Sequence, residues 1–465
     1  MKMIYNVEDK PKFGQLIVFA IQQLLAIMAA TIVVPVITNG NSAANAAAGN
    51  GVASGMSMAA ALFGAGVGTL VYLLFTKFRS PVFLGSSFAF LGPMAAAFAG
   101  AISAQLGYLG LIIGAACAGL VYVVIAILVK LVGVNWLNKL MPAVVIGPTV
   151  AIIGLSLAGS AINDLQTAPA GGSVYVAVIC GLVTLAVTML CSTYGKGFIK
   201  MIPFVMGILA GYVLAVIMTV LGNAMNNEAL MVVNFAPFQE LVVDGVNLKT
   251  FLALPEFTFL EALKGIKDLD ASYVATIAVA YVPVALVVFA EHVADHKNIS
   301  SIIERDLLED PGLHRTLLGD GIGSMVGALF GGCPNTTYGE SVGCVAISRN
   351  ASVVTILTTA IMAMAIAFIN PFVAFLRTIP NCVMGGVCMA LYGFIAVSGL
   401  KMVQKVDLED NRNLFVASAI LIAGIGGLSL TFGKVTITSI AFALILGILV
   451  NVMLSGKKPE GSENE

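Results

Sequence analysis

Charge is the scarcest property of this sequence. Only 10% of the 465 residues are Asp, Glu, Lys or Arg, whereas soluble domains carry about 25%. Hydrophobic residues make up 59% of the chain, and its mean hydropathy is +1.00. These values exclude an ordinary soluble protein and predict a polytopic membrane protein in contact with lipid. The net charge of −1 offers no basic surface, so we expect no nucleic-acid partner.

Metal ligands and reactive groups are also scarce. The three histidines and seven cysteines form no CxxC pair and no Cys/His cluster with the spacing of a zinc site. His292 and His296 lie one helical turn apart, but no third ligand follows them. We also find no nucleophile–base pair and no glycine-rich phosphate loop. The sequence therefore favours neither an enzyme nor a metal or cofactor site, and we interpret the cysteines as small packing residues.

Apolar stretches of bilayer-crossing length recur along the whole chain. A membrane-spanning helix needs roughly 17–25 residues, and fourteen such stretches, some interrupted, can be marked. They are residues 13–37, 56–76, 82–99, 105–129, 140–162, 173–191, 201–221, 272–294, 317–332, 335–348, 352–376, 380–400, 413–431 and 435–454. No apolar segment followed by a cleavage site precedes the first stretch, so we expect a retained span and not a signal peptide.

The positive charges predict the orientation of these spans. A cytoplasmic N-terminus puts all but five of the 23 Lys and Arg residues on the cytoplasmic side, as the positive-inside rule requires. The exceptions are Lys249, Lys264, Lys267, Arg377 and Lys434. We therefore expect a multi-pass protein of the cytoplasmic membrane with both termini in the cytoplasm.

One long hydrophilic stretch, residues 223–270, divides the spans into seven and seven. An odd number of spans gives the two halves opposite orientations, which is typical of inverted-repeat transporters. The predicted fold is thus an all-α polytopic membrane protein with fourteen transmembrane segments in two inverted repeats of seven. Residues 38–55 are rich in Gly, Ala and Asn without any charge, and we interpret them as a flexible external connector.

The third and tenth spans are interrupted at corresponding positions of the two halves. The third reads PVFLGSSFAFLGP from Pro81, and the tenth reads GGCPNTTYGESVGCVAISR from Gly331. Because both combine helix breakers with a short hydroxyl-rich piece, we expect extended segments followed by half-helices. Irregular backbone at membrane depth must be buried or line a cavity, and half-helix N-termini offer free N–H donors. The alternative is that both are loops between helices.

Four acids in or beside apolar stretches are candidates for a functional role. Glu291 ends an apolar run, Asp295 follows one turn later, and Glu340 lies in the tenth span. An acid at bilayer depth costs roughly 2.5–3.5 kcal/mol and marks a candidate substrate or ion pathway. Alternatively, Glu291 is a structural charge at a helix end and Asp295 belongs to a solvated face. Asp320, in the ninth span, is a weaker relay candidate that could equally cap a helix.

Several motifs, in order and spacing, resemble the nucleobase–ascorbate transporter family, and within it the bacterial uracil permease branch. They are QQLLAIMAATIVVPV (22–36), GSSFAF (85–90), AEHV (290–293), DLLEDPGLHR (306–315), PNTTYGESVGCVAISR (334–349) and MGGVCMALYG (384–393). The resemblance covers nearly the whole chain, and the tenth-span motif is its most specific part. It identifies the chain as a member of this family.

The resemblance implies a core and a gate, each built from both repeats. The core would comprise residues 10–133 and 271–376, the gate 134–222 and 377–455, with an external connector at 223–270 and a cytoplasmic tail at 456–465. It also implies short antiparallel β-strands in spans 3 and 10, with substrate between them. Family members often dimerise through their gates, so a homodimer is expected.

The resemblance also implies the site residues. The positions of Glu291 and Glu340 supply the carboxylates that hold the base, Phe88 and Gly339 the backbone donors, and Tyr338 and Tyr392 the pocket wall. The chain departs from the family at positions that bear on proton relay. The list is Gln23 where His is frequent, Asp295 where close relatives can carry His, and Ser341 and Ser348 where Asn and Thr are common.

The chemistry of this site matches uracil, whose two N–H donors and two carbonyl acceptors pair with carboxylates and N–H groups. Thymine and 5-fluorouracil present the same polar edges, and cytosine does not. Burial and a neighbouring acid both favour a protonated carboxyl. We therefore expect Glu291, alone or sharing a proton with Asp295, to couple uracil import to proton symport.

Four alternatives remain open from the sequence. The nearest is a purine or xanthine symporter of the same fold, which Glu340 disfavours. Coupling to Na⁺ instead of protons is the second. A channel is less consistent with single, unrepeated carboxylates, and an integral-membrane enzyme is the least favoured.

Overall fold

The computed structural model describes residues 3–133, 141–243, 245–432 and 435–455. The main helices are α1 (Phe13–Ala47), α2 (Met58–Phe75), α3 (Leu91–Ala99), α4 (Ala104–Val132), α5 (Ala143–Ser156), α6 (Ala158–Gln166), α7 (Val174–Tyr194), α8 (Pro203–Met225), α9 (Ala271–Ile303), α10 (Leu313–Gly331), α11 (Gly339–Ser348), α12 (Val353–Ile366), α13 (Asn370–Thr378), α14 (Asn381–Val403), α15 (Asn411–Ile425) and α16 (Ser439–Leu454). The strands are β1 (Leu84–Ser86), β2 (Asn335–Thr337), β3 (Leu430–Phe432) and β4 (Val435–Ile437).

Short helices fill several connections. They are Phe198–Met201, Ala236–Glu240, Leu248–Phe251 and Thr258–Ala262, with 3₁₀ turns at Phe88–Phe90, Glu228–Leu230 and Leu263–Asp268. The predicted boundary after residue 133, the predicted tail 456–465 and Lys434 lie outside the described residues.

Eight helices of the described chain are long and apolar enough to cross a membrane: α1, α2, α4, the α5–α6 pair, α7, α8, α9 and α14. Several of them carry exposed aliphatic side chains in rows, among them Val124 and Ile127 on α4, Ile179 on α7, and Val213 and Ile217 on α8. Such rows are typical of a surface that faces lipid, because water would disfavour so much exposed apolar area.

The prediction of a flexible connector at residues 38–55 is wrong for residues 38–47, because α1 continues to Ala47. The alanines of this stretch favour helix. The returning chain also packs on the helix end, where Asn39 Oδ1 accepts from the Met56 amide at 2.8 Å and Ser42 Oγ accepts from the Ser54 amide at 2.9 Å. Low charge and small residues were therefore a signal of close packing here and not of flexibility.

Close helix packing positions the centre of the molecule. On α2, a Cβ on Gly64 would overlap the carbonyl oxygen of Gly327 on α10, and a Cβ on Gly68 would meet the Asn335 side chain. Small residues let membrane helices approach closely. Asn335 Nδ2 then donates to the Gly64 carbonyl oxygen at 3.2 Å. The α2–α10 contact thereby fixes the start of β2.

The two halves of the chain contain the same succession of elements. Each begins with a long proline-containing helix, α1 with Pro35 and α9 with Pro283. A second long helix, a three-residue strand and a short helix follow in each half. The strands β1 and β2 pair antiparallel, with Leu84 opposite Thr337 and Ser86 opposite Asn335. A second small sheet, β3–β4, was not predicted from the sequence.

Candidate functional site

Two helix N-termini meet one cavity because each half-helix begins directly after a strand of the β1–β2 pair. Phe88 opens the 3₁₀ turn that leads into α3, and Gly339 opens α11. The residues before them, Ser87 and Tyr338, have extended backbone. Pairing extends past the strands, since the Ser87 amide donates to the Pro334 carbonyl oxygen at 2.9 Å. First-turn N–H groups lack intrahelical partners and are free to bind a ligand.

The cavity between these N-termini has a volume of about 400 Å³, which is within the range of small-molecule sites. One wall contains Ser87, Phe88, Glu291, Asp295, Thr336 and Glu340. The opposite wall is mostly apolar and comes from α5, α8 and α14, through Val150, Ile153, Phe204, Leu391, Phe394 and Ile395. A polar face and an apolar face thus enclose the space.

The three predicted acids are brought together at this cavity. Glu291 and Asp295 reach it from α9, and Glu340 reaches it from the first turn of α11. Thr337 Oγ1, on β2, donates to Asp295 Oδ2 at 2.7 Å. Asp295 is therefore linked to the strand pair, and it borders the cavity together with Glu291 and Glu340.

The two predicted tyrosines occupy different places. Tyr338 borders the cavity, and its hydroxyl donates to the Ser86 carbonyl oxygen at 2.8 Å, which ties α11 to β1. Tyr392 is buried on α14 and is not among the described residues that border the cavity. Its ring contacts Phe88 edge-on, with 6.1 Å between ring centroids. Tyr392 therefore packs against Phe88 from the core, and Phe88 borders the cavity.

Gln23 on α1 also acts on the site at a distance. Its Nε2 donates to Ser341 Oγ, and the Phe83 amide donates to the same oxygen at 3.1 Å. Ser341 follows Glu340 directly and is fully buried. The contact therefore holds the first turn of α11 against α1 and the chain entering β1.

A second, larger cavity of about 1190 Å³ adjoins the first, since Ala294 and Met402 border both. Lys130, Lys297, Asp306, Glu309 and Lys405 line it. These residues lie at the bundle end where Glu8 of the N-terminal segment binds Arg305 at 2.5 Å. The candidate site therefore opens toward the end of the bundle at which the N-terminal segment lies, which we call the N-terminal side.

An ion-pair network beside this opening joins three separate segments. Asp310 Oδ2 binds Arg305 at 2.5 Å, and Asp310 Oδ1 binds Arg79 at 2.6 Å. A hydrogen bond from Arg305 and a smaller effect of the hydrogen bond from Arg79 lower the pKa of the Asp310 carboxyl below its usual value. We call Glu8, Arg79, Arg305 and Asp310 the end network, and it connects the N-terminal segment with the α2–β1 and α9–α10 connections.

Sequence reasoning missed two parts of this region. The apolar wall was missed because its residues carry no signal beyond that of any membrane helix. The second part is a buried hydrogen bond between His292 and Asp320, at 2.7 Å. A signal for it existed, since His292 is polar, follows Glu291 and lies in an apolar stretch.

Residues 14–433 of the chain match a family model described as Permease family. The chain belongs to this nucleobase–ascorbate transporter family. It is 37% identical to the uracil permease of Bacillus caldolyticus, over 100% of this chain and 97% of that protein. It is 36% identical to the uracil permease of Bacillus subtilis, over 99% and 98%, and 34% identical to that of Escherichia coli, over 98% and 95%.

Solved structures show the same fold at low sequence identity. The transmembrane domain of the cyanobacterial bicarbonate transporter BicA matches with a TM-score of 0.57 at 16% identity, over 96% of this chain and 100% of that one. Murine Solute Carrier 26 family member A9, an anion transporter, matches with a TM-score of 0.60 at 12% identity, over 96% and 69%. The chain is thus a mostly helical, multi-pass membrane permease and not an enzyme.

Proposed function

We propose that this permease is a secondary active transporter that imports uracil by proton symport. The observation that carries the proposal is the cavity of about 400 Å³ into which two carboxylates, Glu291 and Glu340, and two helix N-termini converge. Relatives named uracil permease that cover the full length of the chain support the substrate. The apolar wall supports it as well, because a flat base needs an apolar surface against its faces.

Hydrogen-bond chemistry gives each polar edge of uracil a partner in the proposed site. The carboxyls of Glu291 and Glu340 accept from the ring N–H groups, and the backbone N–H groups of Phe88 and Gly339 donate to the carbonyl oxygens. Each charge-assisted bond is worth about 1.5–3 kcal/mol. Thymine and 5-fluorouracil satisfy the same groups, whereas the amino group of cytosine would face an N–H donor. Tyr338 and Tyr392 shape the pocket by holding α11 and Phe88.

Proton coupling is proposed to reside on Glu291 and Asp295, which are one turn apart on α9. Their proximity makes double ionisation unfavourable. In the proposed cycle, the pair binds uracil while it holds a proton. A protonated carboxyl can donate to a uracil carbonyl oxygen, so loss of that proton toward the N-terminal side removes a donor and releases the base. Thr337 orients Asp295 for this role through its 2.7 Å hydrogen bond.

We also propose the architecture that alternating access requires. It has fourteen transmembrane segments in two inverted repeats, with β1 and β2 in spans 3 and 10. The core comprises residues 10–133 and 271–376, and the gate 134–222 and 377–455. Both termini lie in the cytoplasm, the protein resides in the cytoplasmic membrane, and it forms a homodimer through the gates. The repeated succession of helix, helix, strand and short helix supports the two-repeat part.

Transport assays in proteoliposomes test the proposal against its rivals. Labelled uracil uptake driven by an inward proton gradient should be inhibited by unlabelled thymine and 5-fluorouracil, but not by cytosine or xanthine. It should collapse on addition of a protonophore. Uptake that ignores the protonophore and requires Na⁺ would identify a sodium symporter. Competition by xanthine would point to a purine carrier, and non-saturable flux without counterflow would point to a channel.

A further inference from the structure

A second set of titratable side chains lies on a different face of α9 from the one that borders the cavity. Glu291 and Asp295 border the cavity, whereas the next residue after each, His292 and His296, is completely buried in the protein. Successive residues of a helix are separated by about 100°. The helix therefore carries one acidic face toward the cavity and one imidazole face toward α2, α4 and α10. The transport mechanism proposed above uses only the first.

His292 has a hydrogen-bond partner at each ring nitrogen. Nδ1 lies 2.7 Å from Asp320 Oδ2, and Nε2 lies 3.0 Å from Thr316 Oγ1. Thr316 Oγ1 also lies 3.0 Å from the Leu313 carbonyl oxygen. Asp320 is 1% exposed, and His292 and Thr316 are fully buried. Because bulk water does not reach these atoms, the hydrogen bonds among them decide which protons they carry.

Counting donors shows that this group has two satisfied states. Thr316 has one hydroxyl proton and two acceptors within reach. If Thr316 donates to His292 Nε2, the imidazole proton is on Nδ1 and is donated to an ionised Asp320. If Thr316 donates to the Leu313 carbonyl instead, Nε2 carries a proton and donates to Thr316. A further proton must then lie between Nδ1 and Asp320 Oδ2, which are 2.7 Å apart.

The two states differ by one proton and by the direction of one hydroxyl. The pair carries a charge of −1 in the first state and is neutral in the second. His292 Nδ1 and Nε2, Asp320 Oδ2 and the Thr316 hydroxyl proton are each paired in both states, and an unpaired group would be costly in a buried site. On proton uptake, Nε2 gains an N–H bond and Thr316 turns to the Leu313 carbonyl. The proton between Nδ1 and Oδ2 then resides on Asp320, so the carboxyl donates to Nδ1, and no bond between heavy atoms changes.

The imidazole that packs against the pair does not supply a competing site for the proton. His296 stacks on His292 with 4.0 Å between ring centroids. Its Nδ1 donates to the His292 carbonyl oxygen at 2.8 Å, and its Nε2 accepts from the Tyr72 hydroxyl at 2.7 Å. His296 is thereby satisfied as a neutral ring. The other titratable groups close enough to interact electrostatically with Asp320 are Tyr122 on α4, Tyr72 on α2, and Glu291 and Asp295 on α9.

Asp320 also borders a small cavity of about 10 Å³, together with Tyr122, Ser324 and Asn335. That volume is about enough for one water molecule. Asp320 Oδ1 and the Tyr122 hydroxyl have no hydrogen-bond partner within the described chain, so both are available to such a molecule. A water there would contact the carboxyl and give protons a path to the pair.

We propose that Asp320 and His292 form a second proton-binding site of the transport cycle, separate from the carboxyls that hold the substrate. The Thr316 hydroxyl changes its hydrogen-bond acceptor when this site gains or loses the proton. The pair takes up one proton before the protein changes conformation and releases that proton afterwards. This proposal rests on the proposed function for its role in transport. The existence of the proton site does not depend on the substrate.

Infrared difference spectra of the purified, lipid-reconstituted protein without substrate test the site itself. Titration with pH should show a carboxylic acid C=O band that disappears in Asp320→Asn. In Thr316→Val, which removes the hydroxyl without changing side-chain shape, the midpoint of that band should shift by about one pH unit or more, a tenfold change in proton affinity. Thr149→Val is the matched control, because the Thr149 hydroxyl bonds only the Val145 carbonyl of its own helix.

The site hypothesis is overturned if Thr316→Val titrates like the wild type and Thr149→Val. If Asp320→Asn does not fold, the comparison between Thr316→Val and Thr149→Val decides. A wild-type protein that titrates as expected but does not bind uracil would refute the proposed function and leave the proton site standing.

Transport by Asp320→Asn tests the role in the cycle. The Asn amide can donate to His292 Nδ1 and so imitates the protonated pair. Counterflow of labelled uracil, which needs no net proton movement, should stay within about threefold of the wild type. Accumulation driven by a proton gradient should fall at least about tenfold. Wild-type accumulation by Asp320→Asn would contradict a coupling role.

Discussion

Glu340 is the residue whose chemistry is most specific to the proposed substrate. It is held in the first turn of α11 by the neighbouring Ser341, which accepts hydrogen bonds from Gln23 and the Phe83 amide. A carboxylate in that position accepts from a ring N–H group more strongly than an amide does.

Glu340→Gln should therefore weaken uracil binding by roughly 10- to 100-fold, the equivalent of one charge-assisted bond of about 1.5–3 kcal/mol. Equilibrium binding of labelled uracil to detergent-solubilised protein measures the effect. Glu409→Gln, an exposed acid outside the cavity, serves as the matched control and should bind like the wild type. Wild-type affinity in Glu340→Gln would remove this residue from the site.

The Thr337–Asp295 hydrogen bond predicts how the pH dependence of uracil uptake changes when the bond is removed. Thr337→Val removes the donor that stabilises the charged form of Asp295, so the carboxyl should keep its proton to a higher pH. The pH profile of uracil uptake should move upward, whereas Thr358→Val, whose hydroxyl bonds only the Val354 carbonyl, should leave it in place. A profile that does not move would mean that Asp295 does not titrate during transport.

Single residues were predictable from the sequence where their chemistry conflicts with the surroundings. Glu291, Asp295 and Glu340 stand out because charge in apolar stretches is costly. The sequence did not decide whether Tyr392 lies in the cavity wall or in the core, because an aromatic residue suits both equally well. Which of these it occupies depends on the rotation of α14 relative to Phe88.

The strand β1 is the element that most constrains the site. Gly85 lies directly under the Tyr338 ring, and a Cβ added there would overlap ring atoms. The ring cannot move freely, since its hydroxyl donates to the Ser86 carbonyl oxygen and the ring is buried.

Gly85→Ala should consequently destabilise the protein by about 1–3 kcal/mol, which is typical of overpacking, and should reduce uracil binding with it. Thermal unfolding in detergent, with and without uracil, measures both effects. Gly92→Ala is the matched control, because a Cβ there meets no atom within 4 Å. Equal unfolding temperatures for the two variants would contradict this account of β1.

The end network makes a prediction about stability and pH. Because the pKa of Asp310 is lowered in the folded protein, its contribution is present above the unfolded carboxyl value of about 3.9. That contribution is lost only as the pH falls through the lower folded value. Asp310→Asn should therefore lower the unfolding temperature equally at pH 7 and pH 5, and the difference from wild type should vanish only below about pH 4.

Glu261→Gln is the control for that series, since Glu261 is paired only with Lys264 on an exposed surface, where such pairs contribute little. A difference between Asp310→Asn and wild type that disappears already between pH 7 and pH 5 would show that Asp310 titrates in the physiological range.

At the scale of elements, strong local signals predicted the structure and weak ones did not. Helix-breaking residues predicted extended backbone near Gly85 and Thr336, where β1 and β2 are found. The continuation of α1 to Ala47 was mispredicted, because the same small, uncharged residues serve a flexible loop and a closely packed helix end. The contact with the Met56 and Ser54 amides, distant in sequence, decided between them.

The whole molecule combines a polar site with an opening toward one side. The two adjoining cavities share Ala294 and Met402 and lead from the acids to the end of the bundle that holds Glu8 and Arg305. Composition alone predicted the membrane class, and motifs predicted the family. The apolar wall from α5, α8 and α14 could not be predicted, because it depends on how two sets of helices face each other.

Uracil-driven proton movement in proteoliposomes is the direct test of uracil–proton symport. A pH-sensitive dye inside the vesicles should report acidification when uracil is added outside, and labelled uracil should accumulate. An inward charge gains about 2.3 kcal/mol per 100 mV, which corresponds to roughly 50-fold accumulation. In Glu291→Gln, the proton signal and the accumulation should both be lost. Uracil accumulation without internal acidification in the wild type would contradict proton symport.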